Sequence, residues 1–213
     1  MRPTGAPSVR DPLPVEIPDM DRDFGPRRRF LAGLAALPLI PRAASAQEAL
    51  APTPACEDAD EPTPEQTTGP FYKPRSPRRS LLRAPGMTGT PIRLEGRILS
   101  LDCRPLSNAL VELWHADDAG PYDLEGFRLR GHQFADSAGR YAFETIVPGL
   151  YPGRTRHFHV RYQAANRLVL TTQLYFPGEP MNARDGLFRP DLLVEADARQ
   201  RTTARFDAVL QIP

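Results

Sequence analysis

The sequence has no excess of charge of either sign: 27 lysines and arginines stand against 26 aspartates and glutamates. That balance argues against a nucleic-acid or membrane-surface protein, classes that usually show basic runs. Lysine itself is almost absent, Lys73 being the only one, so arginine carries the positive charge. Long apolar runs are missing too. The run from Phe30 to Ile40 is about half of the ~20 residues a membrane-spanning helix needs. There is no internal repeat and no long amphipathic pattern of helical period. Cysteine is limited to Cys56 and Cys103, which form one disulfide in an oxidising compartment or stand as two thiols. What is abundant is proline, with 25 residues. Proline lacks a backbone donor and breaks helices, so this composition favours an all-β or loop-rich chain.

The N-terminal part reads as a processing segment. Arg27-Arg28-Arg29-Phe30-Leu31 has the twin-arginine form, the short apolar run follows it, and Ala44-Ser45-Ala46 supplies a small-residue cleavage signature. Residues 1–46 are therefore expected to be a twin-arginine signal peptide, with Gln47 as the mature start and Met20 as an alternative initiation site. A short buried helix is the competing reading of the apolar run. Export implies a periplasmic or secreted protein. No cysteine directly follows the cleavage site, so no lipid membrane anchor is expected. Twin-arginine export carries folded proteins, often because a cofactor is inserted beforehand. Residues 47–66, polar and rich in proline and acidic residues, read as an extended arm.

Strand signals dominate from there. Ile92, Leu94, Gly96 and Ile98 alternate with Arg93, Glu95 and Arg97; Ala109, Val111 and Leu113 continue the pattern up to Trp114. Tyr141, Phe143 and Thr145 form a third run, Leu168 to Phe176 a well-buried one, and Ala204 to Ile212 a closing one. Residues 126–134 carry no clear pattern. Turns such as Asp102–Asn108, Gly120–Asp123 and Asp136–Gly139 separate the runs, and 177–190 is a long loop. Short strands separated by turns indicate an all-β fold, a β-sandwich of mostly antiparallel strands with long loops, over 67–213.

The stretch Tyr151-Pro152-Gly153-Arg154-Thr155-Arg156-His157-Phe158-His159-Val160 carries the chemistry. In a strand, His157 and His159 point to one side, Phe158 and Val160 to the other. Alone, such a pair fits metal ligands or ordinary histidines of a core or surface. With Tyr151 just before the strand and Tyr122 in a neighbouring loop, the set becomes mixed imidazole and phenolate. Phenolate is a hard anionic oxygen suited to a trivalent ion such as ferric iron, and a nearby cation favours the ionised phenol. Two phenolates cancel two of the three charges on Fe(III). Gln173 sits in an apolar strand and needs a partner, because a buried unsatisfied amide costs roughly 1–3 kcal/mol; backbone or Arg154 would serve. His115 and His132 read as structural or exposed, Trp114 and Phe143 as core, and Asp117, Asp118 and Asp136 as turn residues.

In order, the chain shows T-x-G-P-F-Y, V-E-L-W-H-A-D with G-x-Y after it, D-x-x-G-x-Y-x-F-x-T-I-x-P-G-x-Y-P-x-R-x-x-H-x-H, and T-T-Q-L-Y-F. This ordered set, from Thr67 to Phe188, resembles the intradiol ring-cleavage dioxygenases. It is most similar to short exported members and to the protocatechuate dioxygenase catalytic subunit. The helical N-terminal region of catechol and hydroxyquinol dioxygenases is not matched. The resemblance implies a non-haem Fe(III) enzyme that opens catechol-type rings between the two hydroxylated carbons with O2, giving muconate-type products. It implies Tyr122, Tyr151, His157 and His159 as iron ligands, Tyr151 and His157 axial. It also implies catalytic roles for Tyr151, Arg154 and Gln173, and a substrate pocket lined by Gly69, Pro70, Tyr72 and Arg154. The link from Tyr151 to His157 is shorter than in well-known catechol dioxygenases, which bears on how readily Tyr151 leaves the metal. The implied partners are a catechol-type substrate, O2 and the twin-arginine export machinery, with a homo-oligomer compatible and nucleic acid not expected.

Two other readings compete. Residues 94–151 also resemble prealbumin-like or carboxypeptidase-regulatory sandwich domains, which are non-catalytic binding modules; that likeness leaves His157, His159 and Gln173 unexplained. A zinc hydrolase would want a carboxylate base beside the histidines, and none is evident.

Overall fold

The computed structural model describes residues 61–196 and 202–212. The expected signal segment 1–46, most of the arm and Cys56 lie outside the described residues; Cys103 is disulfide-bonded. Among the described residues no helix is long and apolar enough to cross a membrane.

Among the described residues eight strands form two sheets. Strand β1 (Pro91–Leu99) pairs antiparallel with β4 (Arg140–Ile146) and parallel with the short β7 (Thr203–Arg205) and β8 (Ala208–Val209). The second sheet runs β3–β2–β5–β6, all antiparallel, from β3 (Arg130–Phe134), β2 (Leu110–Trp114), β5 (His157–Gln163) and β6 (Leu170–Tyr175). This is an all-β sandwich. The alternation of β1 and β4 sends Ile92, Leu94, Ile98, Tyr141 and Phe143 inward, where they meet Val111, Leu113, Phe158, Val160, Tyr162 and Leu174 from the second sheet. Each is buried, and such a side chain contributes roughly 1.5–3 kcal/mol of hydrophobic stabilisation.

Three details differ from the sequence expectations. The patternless stretch 126–134 contains β3, an edge strand whose Arg130, Gly131, His132 and Gln133 lack apolar alternation. The closing run is two short strands, not one. At the break, the Asp207 carboxylate accepts the N–H of Arg97 at 2.8 Å, so a side chain replaces a backbone carbonyl in the ladder. The described end of the arm, 61–66, is anchored: Thr63 N–H donates to the carbonyl of Val209 at 2.9 Å, and Gln66 N–H to that of Thr171 at 2.8 Å.

The other face of the second sheet is polar. Register places Glu112 and Trp114 on β2, His157, His159 and Arg161 on β5, and Gln173 and Tyr175 on β6 side by side, with His159 between Trp114 and Gln173. The segment 66–76 and the loops 115–129, 147–156 and 176–190 gather over this face. Gly149 lets two of these loops meet: its N–H donates to the carbonyl of Asp117 at 2.7 Å, and a Cβ there would lie 2.5 Å from the carbonyl of Asp118. Tyr122 and Tyr151 follow directly from that crossing.

Candidate metal centre

On β5 the period-two alternation does what the sequence suggests: Phe158 and Val160 enter the core while His157 and His159 face the loops, 4% and 3% exposed. Their Nε2 atoms lie 3.2 Å apart, and the Tyr122 hydroxyl lies 3.2 Å from His157 Nε2. His157 Nδ1 sits 2.7 Å from the carbonyl of Thr155. A carbonyl only accepts, so Nδ1 carries the proton and Nε2 presents its lone pair inward. His159 stacks face to face on Trp114, with centroids 5.0 Å apart and planes at 6°. Gly69 comes close to the same ring; a Cβ at this position would stand 3.1 Å from His159 Cε1.

Tyr122 is 9% exposed and stacks on Phe71 at 4.6 Å. Tyr151 is half-buried and meets both rings edge-on, 6.1 Å from Tyr122 and 5.3 Å from Phe71. The four sequence-predicted ligands are thus brought together, Tyr151 through its ring contacts. Trp114 belongs with them. It is buried, as the core reading expects, and packs in a second apolar cluster with Tyr122, Phe71, Tyr72 and Tyr151 on the side of β2 that carries the histidines.

Burial decides the electrostatics. It lowers His157 to about 4, helped by Arg154 and opposed by the Thr155 carbonyl, and holds His159 well below the ordinary imidazole value. Both rings are neutral and keep a lone pair. Burial also pushes the Tyr122 phenol up, against the pull of Arg154 and Arg130. A phenol so placed ionises only when a stronger cation adjoins it. Two neutral imidazoles and the Tyr122 phenol meet in a buried cup, with the half-buried Tyr151 ring beside them; imidazole with phenol is a fitting donor set for a hard trivalent metal. Among the described residues no three histidine, cysteine or carboxylate side chains form a metal-holding cluster.

Beside the histidines, Arg154 Nη2 donates to Gln173 Oε1 at 2.6 Å, and Gln173 Nε2 donates to the carbonyl of Thr67 at 3.0 Å. The buried amide is satisfied by both partners the sequence suggested. Arg154 Nε donates to both oxygens of Asp185, at 3.0 and 2.9 Å. Asp185 was not singled out in the sequence, although a half-buried arginine calls for a carboxylate and the loop 177–190 holds only Glu179 and Asp185. Of the pocket candidates, Gly69 touches His159, while Tyr72 packs on Trp114 at 5.1 Å and bonds to Glu112 and Arg161. Pro70 lies between Gly69 and Phe71. His115 is buried and bonded to Thr145 and Ala116, and His132 bonds to the carbonyl of Ser76; neither joins the cluster.

A family model described as Dioxygenase matches residues 67–212, and the chain belongs to that family. The match extends well beyond residues 94–151, the part that resembles a binding module. Among relatives, the protocatechuate 3,4-dioxygenase beta chain of Burkholderia cepacia is 36% identical over 138 residues, covering 55% of this chain and 57% of that one. The hydroxyquinol 1,2-dioxygenase of Nocardioides simplex is 31% identical over 157 residues, covering 62% and 54%. The chain spans a little over half the length of these curated relatives. A solved dioxygenase domain, from a dioxygenase carbohydrate-binding protein fusion of Streptomyces sp. SirexAA-E, is 48% identical with a TM-score of 0.69; the match covers 72% of this chain and 100% of that one.

Proposed function

We propose that the protein is a non-haem Fe(III) intradiol dioxygenase that opens catechol-type rings between the two hydroxylated carbons. The observation that carries this reading is the convergence of Tyr122 Oη, His157 Nε2 and His159 Nε2, neighbours at 3.2 Å, in a buried cup of a dioxygenase-family chain. Tyr122, Tyr151, His157 and His159 would hold the iron, which when bound would supply a Lewis acid that ionises the catechol and readies its ring to give electrons to O2. Two phenolates cancel two of its charges, leaving one for an anionic substrate.

The remaining roles belong to the chain. Tyr151, the more open of the two tyrosines, accepts a substrate proton at its phenolate oxygen as the catechol binds. Arg154, held by Gln173, sets a fixed positive charge beside the ring, where negative charge develops on the carbon that meets O2. Gly69, Pro70 and Tyr72 form the wall against which the ring lies, and Phe71 and Trp114 help exclude water. We further propose export by the twin-arginine route, on the strength of Arg27-Arg28-Arg29-Phe30-Leu31; the mature protein then begins at Gln47.

Oxygen uptake against a panel of catechols tests the activity. Atoms balance as one O2 consumed per catechol with both oxygen atoms in a ring-opened dicarboxylate. Uptake in that ratio with a muconate-type product is expected. No uptake by the iron-loaded protein, or a product cleaved outside the diol, contradicts it.

A further inference from the structure

Arg154, Thr155 and Arg156 are three consecutive residues leading into β5, and each is gripped by a different side chain of the loop 177–190. Arg156 Nε donates to Glu179 Oε1 at 3.0 Å, and Thr155 Oγ1 donates to Asn182 Oδ1 at 2.6 Å. The third grip is that of Asp185 on Arg154 Nε. Pro180–Ala183 is a 3-10 turn that holds Asn182, with Glu179 just before it and Asp185 just after it.

Asp185 is the most specialised of the three. It is 7% exposed, and each of its oxygens accepts a backbone N–H as well as the arginine: Oδ2 that of Thr155 and Oδ1 that of Leu187, both at 2.9 Å. The carboxylate is therefore fixed before the arginine arrives. With Nε held there and Nη2 held by Gln173, the Arg154 guanidinium is pinned at two of its three nitrogens. A free arginine carries about 2 kcal/mol of rotamer entropy, which this arrangement removes before any ligand binds.

We infer that Asp185 is a positioning residue for ring cleavage: its carboxylate aims the Arg154 guanidinium at the substrate ring. The other two grips secure the loop, whereas this one acts on turnover through Arg154. The inference rests on the dioxygenase reading, and its test has an arm that does not.

Asp185→Asn and Glu179→Gln each remove one charged rung from the same loop. Asp185→Asn is expected to lower kcat by about 10- to 100-fold, the range typical of residues that orient a working group, with KM little changed. Glu179→Gln is expected to lower Tm while keeping kcat near wild type. In an Arg154→Ala background Asp185→Asn should cost nothing more, because the group it positions is gone. Equal losses of kcat in Asp185→Asn and Glu179→Gln, or a full additional loss in the Arg154→Ala background, overturn the proposal. The second arm uses the metal-free protein. By NMR, one arginine Nε–H signal, missing in Arg154→Lys, should be protected from solvent exchange in the wild type and in Glu179→Gln, and exposed in Asp185→Asn. An Arg154 Nε–H that exchanges freely in the wild type, or stays protected in Asp185→Asn, overturns the proposal whatever the enzyme does. A wild-type protein that takes up no oxygen with iron and catechol removes the dioxygenase reading, and the Nε–H signal still reports whether Asp185 holds Arg154.

Discussion

Gly69 shows how closely individual residues are fitted at the centre. Its φ of +68° is strained for any residue with a Cβ, at roughly 1–2 kcal/mol. The added methyl group would also press on His159 Cε1 from 3.1 Å, and the Trp114 ring stacked on His159 limits how far the imidazole can turn away. Gly69→Ala should therefore lower stability by about 1 kcal/mol and weaken iron binding by tilting the imidazole. Thermal unfolding and an iron-binding titration check the two effects. His157 is oriented by different means, through the Thr155 carbonyl at 2.7 Å on its outer nitrogen. One proposed ligand is thus steered by a hydrogen bond and the other by packing.

Among the elements, the loop that carries Tyr122 depends on the chain's single lysine. Lys73 Nζ donates to the carbonyls of Leu124, Glu125 and Gly126 at 3.2, 2.8 and 2.7 Å and sits 4.6 Å above the ring of Phe127. It ties the segment over the site to the loop beneath it. Lys73→Met should leave the sheets intact and weaken iron binding by about tenfold, the lower end for outer-shell partners. Hydrogen exchange should rise in 122–127 and stay unchanged in β1 and β5. Alternating apolar residues made β1, β4 and the inner face of β5 legible in the sequence, because each has one core face. That signal fails for β3, an edge strand with polar residues on both sides. It also overruns the break at Asp207, since Ala204, Ala208 and Leu210 stay apolar through a kink made by one side chain. The histidine pair, both tyrosines and the Arg154–Gln173 contact were readable from motif order. Asp185 was not: it lies in a loop without periodicity, 31 residues from Arg154, and only folding joins them. Trp114 is buried as the core reading expects, but an apolar residue at the end of a strand does not reveal which of the two apolar clusters it joins.

For the whole molecule, the sandwich keeps His115, His157 and His159 neutral by burying them, and this sets how its stability responds to acid. His115 sits wholly inside the fold. Its Nδ1 faces the carbonyl of Ala116 and its Nε2 the hydroxyl of Thr145, both at 2.7 Å. Burial lowers it to about 3, with the Ala116 carbonyl opposing. The unfolded chain takes up this proton near pH 6.5 and the folded one does not until about pH 3. Between those values the unfolded state binds more protons, so stability falls as pH falls, by at most about 1.4 kcal/mol per pH unit from this residue. Urea unfolding at pH 7 and pH 5 should show the loss, and His115→Gln should flatten the slope.

The claim that binds these scales together is that two tyrosines and two histidines hold one ferric ion. Its most direct test is the visible absorption spectrum of the iron-loaded protein alongside metal analysis. A tyrosinate-to-iron charge-transfer band at one iron per chain is expected, bleached or shifted in Tyr122→Phe and His159→Ala. A colourless iron-loaded protein, or a band unchanged in both variants, would contradict it.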